Sequence, residues 1–136
     1  MAELGVMTPE AKRYVFDVIF RGQDPVRTLW VGLARRPLDD RLDLATFSLT
    51  EPPPSTGYKR LSLPTVDWTW DGSVLVAKPR VFINLGREAW PRVDIGFLTT
   101  VESGTSGVLL GWSYLQHSRD LFPLDESHVP IRIKWA

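Results

Sequence analysis

The chain has 136 residues, 43% of them hydrophobic, which suits one domain with a buried core and excludes disorder of the whole chain. Its 16 basic residues balance its 16 acidic residues, so the formal net charge is zero and a nucleic-acid partner is disfavoured. Cysteine is absent, which excludes disulfides, thiolate nucleophiles and cysteine metal ligands.

The N-terminal region predicts an arm followed by one amphipathic helix. Residues 1–7 show neither periodicity nor a signal-peptide pattern, so we expect a flexible arm on a protein made in the cytoplasm. No apolar run reaches the length of a membrane span. Thr8 suits an N-cap, Pro9 the first turn and Gly22 a left-handed C-cap. An apolar stripe predicts a helix over about 8–21, lying on a sheet or a neighbouring subunit: Ala11, Tyr14, Val15, Val18 and Ile19.

After the helix, short apolar or alternating segments are punctuated by glycine and proline, which predicts strands. Asp71-Gly72 between two such segments is a strong hairpin signal. Residues 35–44 predict a self-neutralising charged loop, Ala45–Leu49 a short strand or turn, and prolines 52–54 an extended polyproline conformation. Strands are expected at Thr28–Ala34, Tyr58–Leu63, Val66–Trp70, Ser73–Ala77, Arg80–Leu85, Arg92–Thr100, Val108–Leu115 and His128–Trp135.

These elements predict a mainly β protein, an antiparallel β-sandwich or small barrel with one short N-terminal amphipathic helix. We expect a single domain over residues 8–136.

No set of residues predicts catalysis or a bound metal or cofactor. His117 and His128 are too few for a structural zinc site, and His117, Ser118 and Asp120 are sequence neighbours without a nucleophile elbow. The adjacent carboxylates at 39–40 and 125–126 are typical of solvated turns, whereas glycosidases hold two carboxyls across a cleft. The turn at 104–107 lacks the lysine of a phosphate-binding loop. We therefore expect no enzymatic activity, no cofactor and no metal site.

The aromatic residues leave two interpretations open. If residues 66–70 form a strand, Trp68 and Trp70 share a face that could stack on sugar rings or cover a core or subunit interface. Tyr58-Lys59-Arg60 mixes aromatic and basic residues as single-strand binders do, but the zero net charge argues against that role. Few amide side chains and 11 prolines favour a heat-adapted protein, although a GC-rich genome would produce a similar bias.

The order of several short motifs over most of residues 8–135 resembles a family of small structural proteins of tailed-bacteriophage virions. In that family a helix and a short apolar strand precede a Glu-Pro motif, a Gly-Tyr-x-Arg motif, a later phenylalanine and further strands. The corresponding segments here are Leu29–Leu33, Thr50-Glu51-Pro52, Gly57-Tyr58-Lys59-Arg60, Phe82, Trp90-Pro91, Val93–Phe97, Gly107, Leu109-Leu110-Gly111-Trp112 and Val129–Ile133.

The resemblance implies a non-enzymatic virion component. We expect a capsid decoration (cement) protein that binds the outer shell as a homotrimer, through the major capsid protein or other virion proteins, without contacting nucleic acid or membrane. A tail-fibre or baseplate component is the alternative, followed by a carbohydrate-binding module. Besides the N-terminal arm, the expected interface residues are Tyr14, Phe16, Pro52, Pro53, Pro54, Tyr58, Trp68, Trp70 and Trp90.

Overall fold

The computed structural model describes residues 7–36, 43–64 and 67–134, without the side chains of Gln116 and His117. Over these ranges the chain forms two α-helices, a 3-10 turn at Pro54–Thr56 and seven strands. The helices are α1 (Pro9–Arg21) and α2 (Leu44–Thr50). The strands are β1 (Thr28–Ala34), β2 (Leu61–Pro64), β3 (Trp68–Asp71), β4 (Val74–Ile83), β5 (Trp90–Thr99), β6 (Leu109–Leu121) and β7 (Glu126–Ile133).

The strands form two antiparallel sheets, as expected for a mainly β protein with a sandwich architecture. One sheet has the order β2-β1-β5-β6 and the other has the order β3-β4-β7. Apolar side chains from both sheets meet in one core, which includes Val31, Leu98 and Leu121 from the first sheet and Phe82 and Ile131 from the second. Burial of this shared face holds the two layers together.

Helix α1 begins and ends as the sequence predicts. The Thr8 hydroxyl accepts a hydrogen bond from Ala11 N at 3.1 Å, and Gly22 closes the helix with a φ of 69°. Thr8 also joins the helix to β6, because its N–H donates to Leu110 O at 3.2 Å. Only Ala11 of the helix is fully buried, so much of the predicted apolar stripe is only partly covered within the chain.

A second layer of apolar contacts covers the outer face of the four-stranded sheet. Helix α2 places Phe47 against Phe97, with ring centroids 5.6 Å apart, and against Trp112 at 6.0 Å. Strand β5 is consequently buried on both faces from Val93 to Thr99.

The prediction of a strand or turn at residues 45–49 is wrong, because these residues lie within helix α2. Asp43 caps a helix there by accepting from Thr46 N at 2.8 Å.

Gly32 in β1 permits an unusually close approach of the Phe97 ring. A Cβ atom at position 32 would lie 2.3 Å from Phe97 Cζ, far inside van der Waals contact. The ring thus lies directly on the backbone of β1, where any side chain would displace it.

Several predicted strand boundaries are corrected by the structure. The two strands predicted at 73–77 and 80–85 are one strand, β4 (Val74–Ile83). Its register shifts between Ala77 and Arg80, where Pro79 cannot donate to the ladder. Strand β6 continues to Leu121, six residues beyond its predicted end. Strand β2 begins only at Leu61, because Tyr58 and Arg60 turn inwards ahead of it. The prolines at 52–54 lead into a 3-10 turn that closes at Gly57, whose φ is 84°.

Some expectations fall outside the described residues. They are the arm at residues 1–6, most of the charged loop at 35–44 with Asp39 and Asp40, the start of the hairpin at Val66, the side chain of His117, and Trp135 at the end of the last strand.

Candidate functional site

The Glu-Pro and Gly-Tyr-x-Arg motifs converge on one buried ion pair. Arg60 donates to Glu51 through Nε at 3.1 Å and through Nη2 at 2.6 Å, a two-point contact that matches the two planar groups. The Arg60 side chain is 2% exposed and that of Glu51 is 11% exposed. Tyr58 donates its hydroxyl to the same carboxylate at 2.6 Å. We call these three residues the Glu51–Arg60 cluster.

The remaining donors of Arg60 tie this cluster to the turn between β5 and β6. Nη1 donates to Val101 O at 3.1 Å and Nη2 donates to Gly104 O at 3.0 Å. The guanidinium also lies 5.3 Å from the centre of the Phe97 ring. The cluster therefore joins the segment after α2 to a distant turn, which is a structural role.

Tyr58 is part of this core and not of the surface. Its hydroxyl accepts from Leu33 N at 2.9 Å, and its ring packs edge-on against Trp90 at 5.5 Å. Burial of the phenol, reinforced by the neighbouring Glu51 carboxylate, raises the pKa of Tyr58 well above its ordinary value. Trp90 is also buried and donates Nε1–H to Thr56 O at 3.1 Å. Tyr58 and Trp90 are therefore core residues, and neither has the surface exposure that the interface prediction requires.

The three prolines border an open cleft of about 590 Å³ beside the Glu51–Arg60 cluster. Pro53 and Pro54 are exposed on its wall, whereas Pro52 is buried and unavailable to a partner. Lys59 and Glu102 also line the cleft, so its walls mix charged and apolar groups.

A second concavity of about 340 Å³ lies between α1, the segment that follows it and both sheets. We call it the helix groove. Tyr14 and Trp68, both predicted interface residues, line it together with Val18 and Ile19. Tyr14 shapes the groove by accepting a hydrogen bond from Val26 N at 2.9 Å. The groove walls are almost wholly apolar.

Other large apolar side chains are exposed on α1 and β3. Phe16 and Phe20 contact each other with ring centroids 5.9 Å apart, and Phe20 is 76% exposed. Trp70, on β3, is 73% exposed. Phe16 and Trp70 are thus accessible to a partner, and contact of either with one stays a prediction.

A third surface was not predicted from the sequence. The segments at 83–86 and 122–125 adjoin each other and carry Ile83, Leu85, Phe122 and Leu124, all exposed. We call it the loop tip. A signal was present, since Phe122-Pro123-Leu124 places large apolar residues in a turn directly before Asp125 and Glu126. Asp125 caps that turn by accepting from Phe122 N at 2.9 Å, consistent with its predicted turn role.

Other candidate groups have structural or surface positions. The His128 ring is exposed beside Glu126, with Nε2 and Oε2 3.1 Å apart. Asp94 is buried; hydrogen bonds from Arg36 N, Ser118 and Arg92 outweigh its burial and lower its pKa. Among the described residues, no three histidine or acidic side chains converge on a possible metal position. Neither α-helix in those ranges has the length and apolar character needed to cross a bilayer.

Comparison of the chain with protein-family models and with curated proteins finds no match.

Proposed function

We propose that this chain is a non-enzymatic structural protein of a tailed-bacteriophage virion, most specifically a capsid decoration protein that binds the outer shell as a homotrimer. The observation that carries this proposal is the distribution of its exposed apolar residues. Twelve large apolar side chains are exposed over the described ranges. Four lie on α1 and the segment after it, and four on the loop tip. Clusters of this kind typically mark surfaces that other proteins cover.

The residues that carry the resemblance to phage proteins have structural positions in this chain, as the resemblance implies. Glu51, Tyr58 and Arg60 form the buried cluster, and Phe82 stacks on Tyr58 with ring centroids 6.1 Å apart. These residues hold loops to the sandwich and are not exposed to a substrate. A virion structural protein needs a rigid core and exposed surfaces that bind other subunits. The buried cluster and the exposed apolar residues of this chain fit both requirements.

Co-sedimentation tests the proposal. Expanded shells would be assembled from the major capsid protein encoded in the same genome, and the purified chain would be added in excess. We expect saturable binding to shells, no binding to isolated tails, and a higher melting temperature for decorated shells, because a ligand of the assembled state stabilises it. Binding to tails alone would replace this proposal with the tail-fibre or baseplate alternative.

One observation favours a carbohydrate-binding role as a second candidate. Trp70 is largely exposed on β3, the strand that also carries the groove residue Trp68. A sugar stacked on this surface would quench tryptophan fluorescence. Glycan-array binding that is lost in Trp70→Ala and retained in Leu49→Ala, which alters an exposed leucine on α2, would support that candidate.

A further inference from the structure

We infer that the loop tip of one copy of this chain binds in the helix groove of a second copy. The inference rests on the proposed function in one respect, namely that copies of the chain associate with one another. Beyond that, the inference specifies which two surfaces meet, the loop tip and the helix groove, and it makes the contact head-to-tail.

The loop tip is held rigidly by the buried residue Asn84. Its Nδ2 donates to Leu121 O and to Glu88 O, both at 2.8 Å, and its Oδ1 accepts from Gly86 N at 2.9 Å. Its backbone carbonyl accepts from Leu124 N at 2.7 Å. The two segments of the tip are thus fixed to each other before any partner arrives, which lowers the entropic cost of binding.

Leu124 combines a left-handed backbone conformation with an exposed apolar side chain. Its φ is 71°, the left-handed region that residues other than glycine seldom adopt, and its side chain is 76% exposed. The turn itself accounts for this φ, since Asp125 N donates to Phe122 O at 2.9 Å with Pro123 and Leu124 as the central residues. What the turn does not require is a large apolar side chain at this exposed position, and such a side chain suits a contact surface. Leu85 and Phe122 lie beside it and are exposed as well.

The helix groove has the complementary shape and chemistry. It is concave and apolar, with Val15, Val18 and Leu29 among its walls, and its volume of about 340 Å³ is enough for a few large side chains. Ile19, one of the lining residues, is 66% exposed, so this wall of the groove is open to a partner.

The charges around the two surfaces are also complementary. The tip segments and their flanks, residues 83–88 and 119–126, carry four carboxylates and two arginines. Helix α1 and the segment after it, residues 9–28, carry four basic and three acidic residues. Of those acidic residues, Glu10 already accepts from Leu109 N at 3.2 Å. The tip region thus has a net charge of −2 and the helix segment has a net charge of +1, whereas the residues that line the groove are uncharged. The opposite signs favour this pairing over tip-to-tip contact.

The two surfaces cannot meet within one copy. Thr8 fixes the start of α1 to the first residues of β6, whereas Asn84 fixes the loop tip to Leu121 at its end. Strand β6 has 13 residues and spans on the order of 40 Å. Contact between tip and groove is thus intermolecular and heterologous, and it closes into a ring when the rotation between copies permits.

Complementation between two variants tests the inference. Leu124→Asn removes the apolar side chain but tolerates the left-handed backbone, and Ile19→Asp places a charge at the groove on a residue that is 66% exposed. In sedimentation velocity, we expect each variant alone to show at least a tenfold weaker association than the wild type. An equimolar mixture should form one-to-one dimers, because one intact tip and one intact groove remain. The control Leu49→Asn, on the exposed face of α2, should associate like the wild type.

Cysteine cross-linking gives a second, independent measurement, since the chain has no cysteine of its own. Leu124→Cys mixed with Ile19→Cys should form a disulfide-linked dimer under mild oxidation, in solution and on shells. Neither variant alone should do so at comparable yield. Failure of both the mixed dimer and the mixed disulfide would overturn the inference. If shells still bind the chain in that case, the proposed function stands; if shells do not bind it, the proposed function fails separately.

Discussion

Arg60 is a fully buried charge whose environment compensates for the loss of water. The guanidinium makes four hydrogen bonds, two to Glu51 and one each to the carbonyl oxygens of Val101 and Gly104. A buried ion pair adds stability only when its geometry and its remaining hydrogen bonds are satisfied. Four of the five N–H groups of Arg60 have partners, so the guanidinium holds together the segments that contain Glu51, Val101 and Gly104.

Removal of one member of the pair is expected to be costly. Glu51→Gln leaves the guanidinium of Arg60 buried without its counter-charge, and we expect a loss of about 3–5 kcal/mol in the free energy of unfolding. Urea denaturation followed by tryptophan fluorescence would measure it. The double variant Glu51→Gln/Arg60→Met should recover part of the loss, because no unpaired charge remains.

The control for this prediction is the ion pair between exposed Asp71 and half-buried Arg132. Asp71 is 71% exposed and its carboxylate lies 3.6 Å from Arg132 Nη1. Asp71→Asn keeps a residue suited to the hairpin turn, so we expect little change in stability. A loss for Asp71→Asn equal to that for Glu51→Gln would show that burial does not determine the cost.

Tyr58 makes the stability of the protein sensitive to alkaline pH. An unfolded tyrosine has a pKa near 10, and the folded-state pKa of Tyr58 lies above that value, so folding favours the neutral phenol. Its contribution is present below about pH 10 and is lost as the pH rises further. The difference in unfolding free energy between wild type and Tyr58→Phe should therefore shrink as the pH rises above about 10. A difference that is constant with pH would contradict the burial of this phenol.

At the scale of elements, α1 depends on a few polar contacts at its N-terminus. Thr8 accepts from Ala11 N, its hydroxyl donates to Leu109 O, and Glu10 accepts from Leu109 N. These contacts both begin the helix and fix it to the first residues of β6. The position of the helix groove consequently depends on the residues that cap α1.

Thr8→Ala should loosen this attachment. Loss of the cap costs about 1 kcal/mol, and the buried Leu109 carbonyl loses a donor in the same step. We expect a total loss of about 1–3 kcal/mol in thermal or urea unfolding. Thr8→Ser keeps the hydroxyl and should stay close to the wild type; an equal loss in both variants would mean that the hydroxyl is not what matters.

The elements with strong local signals were predicted well. The cap residues and the apolar stripe correctly predicted α1, and Asp71-Gly72 correctly predicted the hairpin of β3 and β4. Helix α2 was missed because its seven residues are too few to show a helical period, and it depends on the Asp43 cap and on packing of Phe47. Burial of both faces of β5 could not be predicted either, because its outer face is covered by α2.

For the whole molecule, the candidate surfaces were only partly predictable. Exposure of Phe16 and Trp70 agreed with expectation, whereas Tyr58 and Trp90 proved to be core residues. Composition cannot tell a core aromatic from a surface aromatic, because both are large and apolar. The loop tip depends on hydrogen bonds of Asn84 to residues almost 40 positions away, which no local pattern contains.

Stability should be distributed unevenly between the sandwich and α1. Strand β5 is buried on both faces, but α1 has a single fully buried residue. We expect the amides of α1 to exchange with solvent at least about tenfold faster than those of β5, because the helix can detach without opening the core. Hydrogen exchange followed by mass spectrometry would measure this. On assembled copies, protection of α1 should rise; unchanged exchange there would argue against the groove as a contact surface.

The contact between Gly32 and the Phe97 ring also gives a rule for recognising distant relatives. A side chain at position 32 is compatible with this sandwich only if the residue at position 97 is much smaller, since the ring occupies the space of the missing Cβ. In diverged homologues the two positions should therefore change together, one enlarging as the other shrinks. Such paired replacement between adjacent strands would identify common descent where overall sequence identity has faded.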